Sequence, residues 1–486
     1  MTATHEIHQR AQRSLWLVLT RQALVAGLGF ASGIVLARRL SPADFGLFAI
    51  STFVVVLVGM IADLGLHAAL IQRRGELATH DIRAAFTVQQ LAATAAMLVL
   101  WPAAALLPVI YPQASPDLVT LVRIMSADLY LLSWCRPSEA LLERSLRYDR
   151  LVPIDVAGAS VYAVVAIVLA LAGVGVLSFG IAWVASTITR LLLVFRAAPW
   201  SVGFAWDRDV ALSVLRIGVP LQVSRVVAQA QYWVTPTVVA ATIGPAPAGL
   251  LQWAAGNGRK PLDVLEHLAR VSLPHFARLQ HDEAEVELTV TRYVSAFTLA
   301  SGFWLCVLAV AGRDLVRFVY TDRWVPAVPA MVLFAGVGVF ASVRLIITTA
   351  LAGLGRTALV GRVAVGSAVA TIVASIALVP PFGVLGVPLG QLVGALVALP
   401  FLIAGLGTNA IPRVLRSAAS TLVPMTLAVA AGLAVRSTAL ASTERGITTA
   451  LVMTVAYAAA VWFAGPRWMR ALVRERTAGV FSRRAA

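Results

Sequence analysis

Apolar stretches of 18 or more residues recur along the whole chain, and no other feature constrains its fold as strongly. A run of that length crosses a hydrocarbon core of about 30 Å as a helix. One such run could be a buried core helix, but a succession of them implies a membrane-spanning bundle. Spans are predicted at 14–37, 45–70, 84–109, 118–140, 152–172, 176–196, 212–238, 248–268, 292–311, 327–352, 360–379, 384–406, 415–435 and 446–465. The seventh and eighth are rich in polar side chains, so the count runs from twelve to fourteen. Composition agrees: 59% of the 486 residues are hydrophobic and 13% are charged, about half the charged share of a soluble domain. The expected fold class is an all-α, polytopic membrane protein.

The formal charge of +16 does not point to nucleic acid, because the arginines are scattered between apolar runs with no dense block for a phosphate backbone. Anionic headgroups at a cytoplasmic face account for them. The connections at 110–117, 173–176, 242–247 and 380–383 carry no basic residue, and they alternate with connections rich in arginine. Arg73, Arg74 and Arg83, then Arg144, Arg147 and Arg150, then Arg259, Lys260, Arg270 and Arg278 fall on the opposite, inward side. Both termini are expected in the cytoplasm, with the bundle in a bacterial inner membrane. The first span is too long for a cleavable signal. Cys135 and Cys306 lie in separate apolar spans and read as core residues.

The chain repeats itself. Leu40–Leu47 (LSPADFGL) recurs as Ile243–Leu250 (IGPAPAGL), Ala85–Thr87 as Ala296–Thr298, and Gly175–Leu177 as Gly383–Leu385. The order is preserved and the separations are nearly constant. The implied organisation is a short cytoplasmic lead (1–13), a six-helix lobe (14–200), a second six-helix lobe (201–410), two further helices (411–466) and a basic tail (467–486). Six is even, so both lobes insert in the same sense and are expected around an axis along the membrane normal, flanking a cleft at mid-depth. Such a duplication suits alternating access; an enzyme has no need of it.

Charged side chains inside a bilayer cost roughly 2.5–3.5 kcal/mol each on insertion scales, so each requires a partner or a purpose. Arg136 and Arg344 occupy the fourth helix of each lobe, 208 positions apart, and Arg21 and Arg225 the first helix of each. Four cations facing one cleft would call for an anion, and the guanidinium fork suits phosphate. The alternative is that they reach an interface or pair with Asp63, Asp128 or Glu139. Gln222, Arg225, Gln229 and Tyr232 share one face at helical spacing, a surface suited to sugar hydroxyls or, equally, to a helix–helix seam. Asp63 and Asp128 are candidates to carry a coupling ion or to neutralise an arginine. Gly29 and Gly33, like Gly386, Gly390 and Gly394, read as close-packing positions. No nucleotide motif, cofactor site or metal-ligand spacing is present in the sequence, so no cofactor is expected.

The run Leu36–Ala49 (LARRLSPADFGLFA), with Ala62–Gln72 (ADLGLHAALIQ) and Leu142–Arg150 (LERSLRYDR), resembles the start of Wzx-type polysaccharide flippases. The repeat copy at Ile243–Leu250 and Pro274–Gln280 (PHFARLQ) fit as well, so the likeness runs over about 14–410. The resemblance implies a two-lobed fold of the multidrug/oligosaccharidyl-lipid/polysaccharide exporter superfamily. It also implies an undecaprenyl-diphosphate-linked oligosaccharide as substrate, moved from the cytoplasmic to the periplasmic leaflet. A polysaccharide polymerase and glycosyltransferases would then be partners. The competing readings are a multidrug antiporter of the same fold and a membrane-embedded polymerase or ligase.

Overall fold

The computed structural model describes residues 2–63, 67, 70–71, 78–212, 215–216, 218, 222, 226, 229, 232–407, 410–437, 442–465 and 468, with the backbone alone over 2–19, 235–236, 283, 442–443 and 464. Among them every regular element is a helix. Two compact units divide the chain, Met1–Gly249 and Leu250–Ala486.

The first unit holds α1 (Thr2–Arg39), α2 (Pro42–Ala62), α3 (Thr79–Ala103), α4 (Asp117–Arg144), α5 (Tyr148–Leu171) and α6 (Leu177–Ala197). The turn into α2 shows why its motif reads as it does. Ser41 Oγ accepts from the Asp44 amide at 3.2 Å while the Asp44 carboxylate accepts from the Ser41 amide at 2.8 Å. This reciprocal cap, with Pro42 in the first turn, satisfies two amides that the helix start would otherwise orphan. A few residues on, Gly46 and its repeat counterpart Gly249 allow a close crossing. A methyl placed on Gly46 would lie 1.8 Å from the Pro245 carbonyl oxygen, and one on Gly249 would lie 1.9 Å from the Pro42 oxygen. The two Pro-x-x-x-Gly segments therefore pack reciprocally, each proline carbonyl against the other's glycine. The seventh expected span, 212–238, lies mostly outside the described residues; its end forms a π-helical turn at Thr235–Val239.

The second unit continues α7 (Pro245–Gly258), which starts in the first, with α8 (Lys260–Arg278), α9 (Glu283–Val319), α10 (Val328–Gly353), α11 (Thr357–Phe382), α12 (Gly386–Ala404), α13 (Ala410–Ala419), α14 (Leu422–Arg436) and α15 (Ser442–Ala464). α11 and α12 form one antiparallel hairpin. Methyls on Gly386, Gly390 and Gly394 would collide with Leu378, Ser375 and Thr371 respectively, so these glycines are the close-packing positions the sequence suggests. Gly29 and Gly33 are not: nothing among the described residues comes within 4 Å of a methyl at either. Pro261 in the first turn of α8 separates α7 from α8 at Arg259.

Each unit, taken by itself, shows the same neighbour pattern. In the first, α4 packs on α2, α3 and α6, and α5 on α6; in the second, α10 packs on α8, α9 and α12, and α11 on α12. A fourth helix surrounded by the second, third and sixth of its own half is what an internal duplication produces. Its core in the second unit joins Leu265, Phe276, Val290, Phe297, Ile346 and Leu402.

Eleven segments among the described residues are helical, long and apolar enough to cross a membrane, and the 48-residue segment 357–404 is the α11–α12 hairpin. The chain is a polytopic all-α membrane protein. Arg259 corrects one reading of the sequence, which counts it among groups of an inward connection. It donates to the Gln391 side chain of α12 and its guanidinium lies 5.1 Å from the Phe334 ring centroid of α10. Both partners lie within the first two turns of their own helices, so Arg259 belongs to the helical interior of the second unit.

Candidate functional site

The charged side chains inside the first unit are arranged as an alternating ladder. Arg21 of α1 pairs with Asp155 of α5 at 2.9 Å, and Asp155 also meets Arg190 of α6 at 3.4 Å. Arg190 reaches Glu139 of α4 at 2.6 Å; Glu139 meets Arg136 at 3.4 Å, and Arg136 meets Asp63 at the end of α2 at 3.5 Å. Three guanidiniums thus interleave with three carboxylates across five helices. Among the described residues each cation of the ladder meets a carboxylate, the pairing that lets a low-dielectric interior hold such groups. Glu139, 2% exposed, is the midpoint and bridges two arginines. All six lie toward the end of the unit marked by the connection from α4 to α5. Beside the ladder His67 and Glu143 meet at 3.0 Å.

Two cavities border this ladder inside the unit. One of about 280 Å³ is lined by Asp63, Gln89, Asp128, Ser133, Arg136 and Gln222. The other, about 520 Å³, is lined by Arg21, Asp155, Tyr162, Trp183, Ser186 and Arg190. Asp128, Leu132 and Trp183 border both, so the side chains of α4 and α6 form a shared wall. Buried Asp128 accepts from the Thr187 hydroxyl at 2.5 Å and has no arginine within ion-pair distance among the described residues. Its environment differs from that of Asp63, which neutralises Arg136 and whose carbonyl accepts from the Gln222 amide at 2.6 Å.

The expected site residues therefore divide. Arg21, Arg136, Asp63, Asp128 and Gln222 come together on the ladder and its cavities. Arg225 lies outside the described residues. Gln229 is exposed, Tyr232 is 41% exposed, and neither lines these cavities. Arg344 sits half-buried on α10 in the position that repeats Arg136, but no acidic partner accompanies it among the described residues. Among the described residues the same helical position is thus neutralised in the first unit and not in the second. Sequence reasoning missed Asp155 and Arg190. Both were visible as charges within the fifth and sixth apolar spans, the very signal that singled out Arg21 and Arg136.

The fold and this charged interior define a multi-pass membrane protein built on a duplicated helical plan, of the kind that carries transport. The family model described as "Polysaccharide biosynthesis protein" matches residues 35–329, more than half of the chain, and the chain belongs to that family. The succinoglycan biosynthesis transport protein ExoT of Rhizobium meliloti (strain 1021) is 26% identical over 327 residues, 66% of this chain and 64% of that protein. The lipopolysaccharide biosynthesis protein WzxC of Escherichia coli (strain K12) is 23% identical over 328 residues, 66% of this chain and 65% of that protein. The matches thus span just under two thirds of these relatives' own lengths. Among solved structures, the lipid II flippase MurJ in an inward closed conformation superposes with a TM-score of 0.74 at 14% identity, covering 93% of this chain and 99% of that one. An inward-facing multidrug resistance MATE family transporter of the MOP superfamily gives 0.60 at 15% identity, covering 81% and 94%. These two likenesses are of fold. The relatives and fold neighbours named here are described as transport or biosynthesis proteins, flippases and transporters, not as enzymes.

Proposed function

We propose that this protein is a flippase that moves an undecaprenyl-diphosphate-linked oligosaccharide from the cytoplasmic to the periplasmic leaflet of a bacterial inner membrane by alternating access. The observation that carries the reading is the charge-balanced arginine–carboxylate ladder bordered by two cavities, in a chain of the polysaccharide biosynthesis family. A diphosphate that engages Arg21 or Arg136 competes with Asp155, Glu139 or Asp63 for the guanidinium. Such an exchange keeps every cation partnered before and after, so that binding and release both stay accessible. Two six-helix lobes, 14–200 and 201–410, with both termini in the cytoplasm, complete the reading. Arg225 and Arg344 supply cations from the second lobe, and Gln222, Gln229 and Tyr232 a surface for sugar hydroxyls. Asp63 and Asp128 are the candidates for ion coupling. Glycosyltransferases and a polymerase would supply and consume the substrate.

The test is reconstitution. Purified protein in liposomes is expected to carry a lipid-diphosphate-linked oligosaccharide across the bilayer intact, read by accessibility to an added glycan-cleaving enzyme and by mass spectrometry of the recovered lipid. Chain extension, or transfer of the glycan to an acceptor by this protein alone, would overturn the reading. A second reading, a cation antiporter of the same fold, draws on the four carboxylates Asp63, Asp128, Glu139 and Asp155. Ion-driven efflux of a cationic dye without movement of the glycolipid would favour it.

A further inference from the structure

The second unit contains a cavity that the proposed transport path does not use. It measures about 470 Å³ and is lined by Arg292, Arg413, Arg416, Ser417, Ser420 and Trp468. Its walls are the start of α9, the helix α13 and Trp468, four residues past the end of α15. The Ser417 hydroxyl donates to the Thr291 carbonyl at 2.6 Å and lies 2.5 Å from the Ser295 hydroxyl, which fixes α13 on α9. Arg413 is held by Glu287. Arg292 and Arg416 have neither an acidic partner nor a hydrogen bond among the described residues, and both open on the same space.

The depth of this cavity follows from α9. Its 37 residues extend about 55 Å as a helix, well beyond a hydrocarbon core of about 30 Å. The apolar stretch of α9 begins just past Arg292, with Tyr293 and Val294, so Arg292 marks the level at which the helix leaves the hydrocarbon. Trp468 suits that level too, since tryptophan collects at the membrane–water interface. Leu288 borders the cavity and is 44% exposed. Cations at headgroup height beside an exposed leucine and a tryptophan present both halves of a lipid-binding surface.

We propose that this cavity binds the phosphodiester headgroup of an anionic glycerophospholipid, with Arg292 and Arg416 on its oxygens and its acyl chains leaving past Leu288 and Trp468. Two arginines facing one space without a carboxylate are stabilised by an anion, and the guanidinium fork bonds two phosphate oxygens at once. A free phosphate would engage the arginines alone. The apolar rim of Leu288 and Trp468 selects the lipid. The proposal rests on the chain's membrane location and not on what it transports.

The test uses delipidated full-length protein in neutral detergent, titrated with phosphatidylglycerol or with phosphatidylcholine of the same acyl chains. Binding is read by native mass spectrometry and by the thermal unfolding midpoint. Phosphatidylglycerol is expected to bind and raise the midpoint, and phosphatidylcholine to bind far more weakly. Each of Arg292→Gln and Arg416→Gln should weaken phosphatidylglycerol binding about fivefold, as expected for one basic residue at an anionic surface. Equal binding of the two lipids by the wild-type protein, or undiminished phosphatidylglycerol binding by the double variant, would overturn the proposal. Competition by inorganic phosphate at equal concentration would assign the cavity to a free anion and refute the lipid. The wild-type titration alone decides the matter should a variant fold poorly.

Discussion

Glu139→Ala is the sharpest perturbation of the ladder. Glu139 touches Arg190 at 2.6 Å and Arg136 at 3.4 Å and its side chain is 3% exposed. Removing it takes away two attractions, each worth about 4 kcal/mol before solvation at charge centres about 4 Å apart and an effective dielectric near 20. It also relieves the desolvation of one carboxylate, an offset of several kcal/mol. Two arginines are left facing each other, partnered only by Asp63 and Asp155 at the far ends. The expected net loss is about 3 kcal/mol, the lower edge of the range for removing one partner of a buried pair, because Arg190 retains 37% exposure and is partly screened. Glu139→Gln keeps the shape and should lose less. The double variant Glu139→Leu with Arg190→Met removes both charges and should recover to within about 1 kcal/mol of wild type, since apolar replacement of a whole buried pair is close to neutral. Thermal and denaturant unfolding of purified protein in one detergent would measure all four forms. If Glu139→Ala unfolds with the wild-type protein, or the double variant is no better than Glu139→Ala, the ladder does not hold the unit together.

The reciprocal glycine crossing makes its own prediction. Gly46→Ala and Gly249→Ala each place a methyl under 2 Å from a proline carbonyl, and overpacking of about 1–3 kcal/mol should lower the unfolding midpoint. An unshifted midpoint in both would contradict the crossing. Arg21→Ala and Arg225→Ala are expected to abolish polysaccharide export at near-normal protein abundance, with Arg→Lys restoring only part; full export in both alanine variants would remove them from the substrate path. Asp207, outside the spans, accepts from the Val210 and Asp209 amides, and these bonds hold its carboxyl below the usual range. Its contribution is therefore present above the ordinary carboxylate value and lost as pH falls through the lower folded value. Amide exchange at 209–210 should quicken there in wild type and show no such step in Asp207→Asn. Cysteines placed singly within 110–117 and 436–445 should react with an impermeant thiol reagent from outside intact cells, and silence at both would reverse the orientation.

Much of the scaffold was legible in the sequence because it depends on local composition. A run such as Val164–Leu171 or Val387–Leu402 must be helical in a bilayer, where every backbone amide needs an internal partner. The cap at Ser41–Asp44 and the break at Pro261 are likewise local, each settled within one helical turn. The internal duplication was also readable, since Leu40–Leu47 and Ile243–Leu250 keep the same proline and glycine at the same spacing.

Tertiary structure alone decided which charges meet. Arg21 and Asp155 are separated by more than a hundred residues, and no periodicity within α1 or α5 specifies the other; their contact exists because α1 packs on α5. Arg136 and Arg344 occupy matching sequence positions, yet one is neutralised and the other has no acidic partner among the described residues. Arg259 read as a loop residue until α10 and α12 closed around it. The sequence by itself determined that the chain is a polytopic helical membrane protein, because that follows from the hydrophobic cost of exposing each apolar segment. Whether a given arginine is spent on a carboxylate or left to meet an anion is set by partners from other helices, and only their packing brings those within reach.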